Sequence, residues 1–245
     1  MSIKKVNGAG DNYDPVRRII WQKLPQDRLI VEVSLWSADI THLADEIKRV
    51  DAFADIYHID VSDGHFVPGF LFFADLVTAI RPLTKRPFHV HLMTTNPLAH
   101  IADFASAGAD LISIHAENGT VVPAALDAIR HQGIAAGLVL GLDVQPETIV
   151  PYLELVNLVL LMGTPIGVKG VKPSSHIYDR VKKMKALISQ EGLDEQVKVF
   201  ADGGIREHTV PKLHSSGADG VIAGSIVFKS ANLNETFNWL HGLKS

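Results

Sequence analysis

The sequence predicts an α/β protein, a single-domain (β/α)8 barrel, on three observations. Eight short runs rich in Val, Ile and Leu recur along the chain, each followed by a helix-length amphipathic segment. Such continuous apolar runs mark strands of a parallel sheet buried on both faces. Two phrases echo each other, Ala107-Gly108-Ala109-Asp110 and Ser216-Gly217-Ala218-Asp219, each between a helical segment and an apolar run. They read as the helix-to-strand turn of one repeated unit. The length, 245 residues, is usual for one such barrel.

The predicted strands are Leu29–Leu35, Ile56–Val61, Phe88–Met93, Leu111–His115, Ala135–Leu140, Leu158–Met162, Val197–Ala201 and Gly220–Ala223. Asp39–Val50 reads as a helix with Asp39 at its N-cap and Leu43, Ile47 and Val50 on one face. Pro97 falls in the first turn of a helix running to Ala107, where proline is tolerated. Gly108 and Gly217 follow helices as C′ residues, the second closing a helix over Glu207–Ser216. An open doubly wound sheet is the alternative. It usually carries a glycine-rich first strand-to-helix turn, and Ser34-Leu35-Trp36-Ser37 has no glycine. Residues 1–27 read as an N-terminal extension, with an amphipathic stretch from Val16 to Leu24, and residues 28–245 as the barrel.

Composition narrows the function. The formal charge is -4 with no Lys/Arg run, so nucleic acid is not an expected partner. The apolar runs are strand-sized, far below the roughly 18–20 residues needed to span a bilayer. Met1 to Asp14 is polar, without the apolar core of a secretory signal. There is no cysteine, which fits a cytoplasmic protein and excludes thiolate chemistry, so any metal must be held by carboxylates and the 12 histidines.

In barrels of this kind, the TIM-barrel architecture, chemistry sits at the C-terminal ends of the strands. There the second strand ends in His58-Ile59-Asp60-Val61-Ser62, and alternation puts His58, Asp60 and Ser62 on one face. The third ends in His89-Val90-His91-Leu92-Met93, the fourth in His115 followed by Glu117, and the seventh in Ala201-Asp202-Gly203-Gly204. Any one such histidine is more often a hydrogen-bonded core residue than a ligand. Four polar residues at one mouth, His58, Asp60, His91 and Asp202, make a site for Zn2+, Fe2+, Mn2+ or Co2+. Gly203-Gly204, Gly224-Ser225 and the loop Gly163-Thr164-Pro165-Ile166-Gly167-Val168-Lys169-Gly170 lie in late loops, where backbone N–H groups can hold a phosphate. Turns need glycine anyway, so each phrase alone is weak. Together they suggest a substrate with a metal-bound head and a phosphate tail.

The phrases Ser34-Leu-Trp-Ser-Ala-Asp39, His58-Ile-Asp-Val-Ser-Asp-Gly-His-Phe-Val-Pro68, Val90-His-Leu-Met93 with Asn96-Pro97, Ala201-Asp-Gly-Gly-Ile205 and Ala223-Gly-Ser-Ile-Val-Phe228 resemble the ribulose-phosphate 3-epimerase family over about residues 28–229. The resemblance implies Asp60 and Asp202 as catalytic carboxylates, and His58, Asp60, His91 and Asp202 as metal ligands. It implies substrate contacts from Ser34 and His91, and phosphate contacts from Gly203, Gly204, Gly224 and Ser225. Met93 and Met162 match two family methionines near the metal. The chain departs from the family at Ser62, where Met is usual. It departs again where Thr164–Gly170 replaces Asn-Pro-Gly-Phe-Gly-Gly, and where Val33-Ser-Leu-Trp36 replaces Pro-Ser-Ile-Leu.

The expected reaction is proton removal and return at C3 of a ketose phosphate, through an enediolate, by the two aspartates on opposite faces. A sibling epimerase acting on another ketose phosphate, such as D-allulose 6-phosphate, stays open because the altered loop bears on substrate choice. A non-catalytic sugar-phosphate-binding barrel is the reading of a different class, but it would need none of the four ligands. Lys169, with Gly167 and Gly170, reads equally as a phosphate contact or as a solvated loop lysine. A homo-oligomer is expected. Phe70, Leu71 and Phe72 read as a lid, a subunit contact or core.

Overall fold

The computed structural model describes residues 20–244. Eight parallel strands close into a barrel in chain order: β1 (Ile30–Ser34), β2 (Ile56–Ser62), β3 (Phe88–Met93), β4 (Leu111–His115), β5 (Ala135–Leu140), β6 (Leu158–Met162), β7 (Lys198–Asp202) and β8 (Gly220–Ala223). β1 pairs with both β2 and β8, so no sheet edge is left unpaired. The helices α1 (Leu43–Val50), α2 (Ala74–Ile80), α3 (Ile101–Ser106), α4 (Val122–His131), α5 (Ile177–Gln190), α6 (Val210–Ser215), α7 (Ser225–Phe228) and α8 (Leu233–His241) follow the strands, and a 3-10 segment, Pro146–Leu155, takes the place of a helix between β5 and β6.

The sequence places every strand to within a residue at either end. Helix starts are less well placed. Asp39 caps as expected, accepting from the Thr41 N–H at 2.9 Å, but it caps a 3-10 turn, Ile40–His42, ahead of α1. The helix expected from Pro97 is broken into a 3-10 turn, Pro97–Ala99, and α3, and the one expected from Glu207 begins at Val210. Gly108 and Gly217 have the left-handed φ values of 101° and 96° that their C′ positions require.

The alternation of each strand divides the core in two. Outward residues such as Val31, Val33, Ile59, Val90 and Leu92 pack against the helices. Inward residues Ile30, Ile56, Leu111, Leu158, Phe200 and Ile222 fill the barrel. Ile20, Trp21 and Leu24 join this inner cluster and plug its base, with Trp21 2% exposed, its ring 5.8 Å from Phe200 and its Nε1–H donating to the Gln196 carbonyl at 3.2 Å. Residues 16–19 of the expected amphipathic stretch, and the tail before them, lie outside the described residues.

Toward the C-terminal ends the same inward face turns polar. Ile30 is followed on it by Glu32 and Ser34, Ile56 by His58 and Asp60, Leu111 by Ser113 and His115, and Phe200 by Asp202. The barrel is thus an apolar cup below and a hydrogen-bonded polar layer above, and that layer is the floor of the site.

Candidate active site

Adjacent strands bring the first candidate ligands together by register: Asp60 of β2 pairs with His91 of β3, and His58 pairs with His89. Asp202, at the end of β7, reaches the same point across β8 and β1. One ligand atom from each of His58, Asp60, His91 and Asp202 falls in a group no more than 4.8 Å across. His58 Nε2 lies 3.2 Å from Asp60 Oδ1 and His91 Nδ1 lies 3.4 Å from the same oxygen. Both nitrogens are fully buried, yet neither makes a hydrogen bond. Buried polar atoms are normally satisfied. Two imidazole nitrogens turned toward carboxylates without bonding them fit donors aimed at a common cation, and two His with two Asp suit a tetrahedral divalent metal.

The two aspartates differ. Burial opposes a charge on Asp60, but His58 and His91 outweigh it and hold the carboxyl well below its usual range. Ser34 Oγ also donates to Asp60 Oδ2 at 2.9 Å. Around Asp202, loss of water raises the pKa, the neighbouring imidazoles only partly offset this, and Asp60 adds to it, leaving the group at about 6. The two like groups thus sit in surroundings that push their proton affinities in opposite directions. His58, despite complete burial, is raised well above its usual value by Asp60 and Glu32.

Below and beside the ligands run two further hydrogen-bonded chains. Glu32 Oε2 lies 2.9 Å from His58 Nδ1 and 2.8 Å from His89 Nδ1, and His89 Nε2 lies 2.8 Å from Ser113 Oγ. Burial opposes ionisation of Glu32, but His89 and His58 more than compensate and bring its pKa to about 2. On the other side His91 Nε2 meets His115 Nε2 at 2.8 Å, His115 Nδ1 meets Glu117 Oε2 at 3.3 Å, and Glu117 Oε1 accepts the Gly141 N–H at 3.0 Å. Burial lowers the His115 pKa to about 4.

Above the cluster opens a cavity of about 400 Å3. Ser34, His91, Met93 and Met162 line it near the aspartates, and Gly203, Gly204, Gly224 and Ser225 line its far wall. Gly203 and Gly204 have φ values of 86° and 72°, and a Cβ on Gly204 would come within 2.5 Å of Pro173. These backbones therefore face the cavity in a form only glycine adopts freely. The loop after β6 closes another wall with Gly167, Lys169 and Gly170, its Gly167 packed against Val67 of the loop after β2. Lys169 reaches across the mouth, donates to the Trp36 carbonyl and sits 4.1 Å above the Trp36 ring. Ser62, at the position where the sequence departs from Met, donates to the Gly69 carbonyl at 3.0 Å and ties down the loop after β2. In that loop Phe72 packs on the core, whereas Phe70 is 82% exposed.

Sequence reasoning did not single out Glu32, Ser113 or His89, nor Trp36, Arg206 and Lys229 in the cavity wall. A glutamate between valines in a buried strand was the available signal for the first. The wall residues depend on loop conformation, which no periodicity reports.

A closed (β/α)8 barrel with titratable groups gathered at the strand ends defines a barrel enzyme. The Ribulose-phosphate 3 epimerase family profile matches residues 30–228. The ribulose-phosphate 3-epimerase of Synechocystis sp. is 37% identical over 214 residues, covering 84% of this chain and 90% of that protein. The ribulose-phosphate 3-epimerase of Bacillus subtilis is 35% identical over 215 residues, covering 87% and 99%. The chain belongs to the ribulose-phosphate 3-epimerase family and is an isomerase, an epimerase. Among solved structures, the tryptophan synthase α-subunit of Pyrococcus furiosus superposes with a TM-score of 0.64 at 17% identity, covering 88% of this chain and 98% of that one. Orotidine 5'-phosphate decarboxylase of Pyrococcus horikoshii gives 0.59 at 18%, covering 86% and 97%. At such identities the likeness speaks for the fold alone. Among the described residues no helix is long and apolar enough to cross a membrane.

Proposed function

We propose that the protein epimerises C3 of a ketose phosphate, D-ribulose 5-phosphate to D-xylulose 5-phosphate, with Asp60 and Asp202 as the proton-transfer pair. The observation that carries this reading is the cluster at the floor of the cavity in which ligand atoms of Asp60 and Asp202 lie with those of His58 and His91 in a group no more than 4.8 Å across. Asp60 takes the C3 proton from one face, and Asp202 delivers a proton to the other face of the enediolate. In the reverse direction the roles exchange. Ser34 keeps Asp60 oriented through its 2.9 Å hydrogen bond. A divalent ion, Zn2+, Fe2+, Mn2+ or Co2+, held by His58, Asp60, His91 and Asp202, would act as a Lewis acid that favours enolisation of the ketone.

The backbone of Gly203, Gly204, Gly224 and Ser225 takes the phosphate, with Gly167, Lys169 and Gly170 completing the enclosure. Met93 and Met162 cover the apolar edge of the sugar and help exclude water. The family relatives support the choice of ribulose 5-phosphate. The protein works in the cytoplasm as a homo-oligomer on this reading. A second reading, a sibling ketose phosphate such as D-allulose 6-phosphate, rests on the altered loop after β6, whose Lys169 reaches Trp36 across the mouth. Incubation with a panel of ketose phosphates in heavy water decides between them. Deuterium should enter C3 fastest from ribulose 5-phosphate; faster exchange with a longer ketose supports the sibling reading, and no exchange with any of them rejects epimerisation.

A further inference from the structure

We infer that Glu32 is a positioning residue that fixes His58 as a metal ligand, with His89 and Ser113 holding the carboxylate in place. The inference rests on the metal reading given above and concerns how this chain prepares one of its ligands.

The donor and acceptor count leaves one self-consistent arrangement. Ionised Glu32 can only accept, so His89 Nδ1, 2.8 Å from Oε2, carries the proton of the neutral ring, and Nε2 accepts from the Ser113 hydroxyl at 2.8 Å. That N–H donates to Glu32 Oε2 at 2.8 Å. His58 Nδ1 is 2.9 Å from the same oxygen and 3.3 Å from His89 Nδ1, so its hydrogen also points at the carboxylate. With Nδ1 protonated and the ring neutral, as ligation requires, His58 Nε2 carries its lone pair, and this is the buried nitrogen that makes no hydrogen bond and faces Asp60. The two rings stand edge-on at 89° with centroids 4.7 Å apart, so His89 also packs against the side of His58. Glu32, His58, His89 and Ser113 are all 0% exposed, so these bonds are shielded from bulk solvent. A carboxylate behind a ligating histidine sets its tautomer and raises its basicity, and removing such a partner typically lowers metal affinity about 10–100-fold.

Glu32, His58 and His89 also satisfy the geometry of a cation site in their own right. The nitrogen-to-oxygen separations of 2.8 and 2.9 Å are those of hydrogen bonds, and occupation would require His58 to serve two ions at once.

The test uses the full chain loaded with Zn2+ or Co2+. Metal affinity is measured by chelator competition for the parent, Glu32→Ala and Glu32→Gln, with the Co2+ absorption spectrum and the 15N shifts of His58 as reporters of ligand geometry and tautomer. Glu32→Ala should bind metal about 10–100-fold more weakly with altered spectra. Glu32→Gln keeps an oxygen to accept from Nδ1 but loses the charge, and should fall between it and the parent. Unchanged affinity and spectra in a folded Glu32→Ala would overturn the inference. If that variant does not fold, parent-like affinity in Glu32→Gln would do so. Two equivalents of metal per parent chain, with one lost on substitution, would make Glu32 a ligand instead and also overturn it. A parent that binds no divalent metal removes the metal reading itself, whereas a parent that binds beside an unaffected Glu32 variant removes only this inference.

Discussion

The two halves of the barrel mouth reach the same cavity by opposite means. On the side of β1 to β4 the wall is made of side chains: Glu32, His58, Asp60, His89, His91 and His115 are buried and linked in hydrogen-bonded chains, while Glu32 Oε1, His58 Nε2 and His91 Nδ1 make no hydrogen bond. On the side of β6 to β8 the wall is largely backbone, with Gly203, Gly204 and Gly224 at the ends of strands and no room for a Cβ. Charge placed on side chains in low dielectric needs a supporting network, since an unpaired buried ion is costly. Donors supplied by backbone need only the correct φ and ψ, and glycine provides those. The first half, joined by Asp202 from the end of β7, can tune protonation, while the glycine backbones of the second can hold an anion without titrating.

That contrast can be broken experimentally. The largest effect is expected from Asp60→Asn and Asp202→Asn. Each should cut kcat by about 10²–10⁴-fold or more, the usual contribution of a general acid or base, with the far-ultraviolet circular dichroism unchanged. Parent-like turnover in either purified variant would end the two-aspartate proposal. On the glycine side, Gly204→Ala forces a side chain into a φ of 72° and against Pro173. A stability loss of about 1–2 kcal/mol is expected from the left-handed backbone, together with a raised KM and a smaller change in kcat. A dominant effect on kcat would mean that the glycine half does more than bind.

A smaller change should follow Lys169→Met, which keeps the apolar stem over Trp36 but removes the charge. If Lys169 meets the phosphate, KM should rise about fivefold, on the order of 1 kcal/mol for a partly exposed charge. An unchanged KM would identify it as a strap between the two lips. The smallest effect concerns Asp63, which holds the loop after β2 by accepting from the N–H groups of His65, Phe66 and Thr95. Slight desolvation opposes its charge, but these bonds, that of Thr95 first, depress its folded pKa well below 3.8. Its stabilising contribution is therefore complete above the unfolded pKa and disappears as pH falls through the folded one. Thermal melts from about pH 5 downward should show less acid sensitivity in Asp63→Ala than in the parent, and an identical slope would remove Asp63 from that role.

Much of this was legible in the residues. Strand-length apolar runs and the paired Ala-Gly-Ala-Asp and Ser-Gly-Ala-Asp turns locate the strands, because burial on both faces leaves a parallel strand little else to contain. Period-two alternation alone puts His58 and Asp60 on one face, and the strand ends pick out His91 and Asp202. Helix starts were less legible, as at Asp39 and Pro97, where local 3-10 turns compete with the α-helix over a few residues.

What only tertiary structure decided is contact between residues distant in the chain. Glu32 and Ser113 mean nothing alone; they become a support for His58 because β1, β2, β3 and β4 bring them level through His89. The same holds for Trp21 under Phe200 and for Lys169 over Trp36, 133 residues apart. Sequence by itself determined the repeating unit, the side of each strand that faces inward and which four residues are candidate ligands, since these depend on local period and residue type. Closure of the barrel determined which of those inward residues meet, how far the two aspartates differ in proton affinity, and which buried nitrogens are left free for a cation, since each of these depends on distances that no single segment contains.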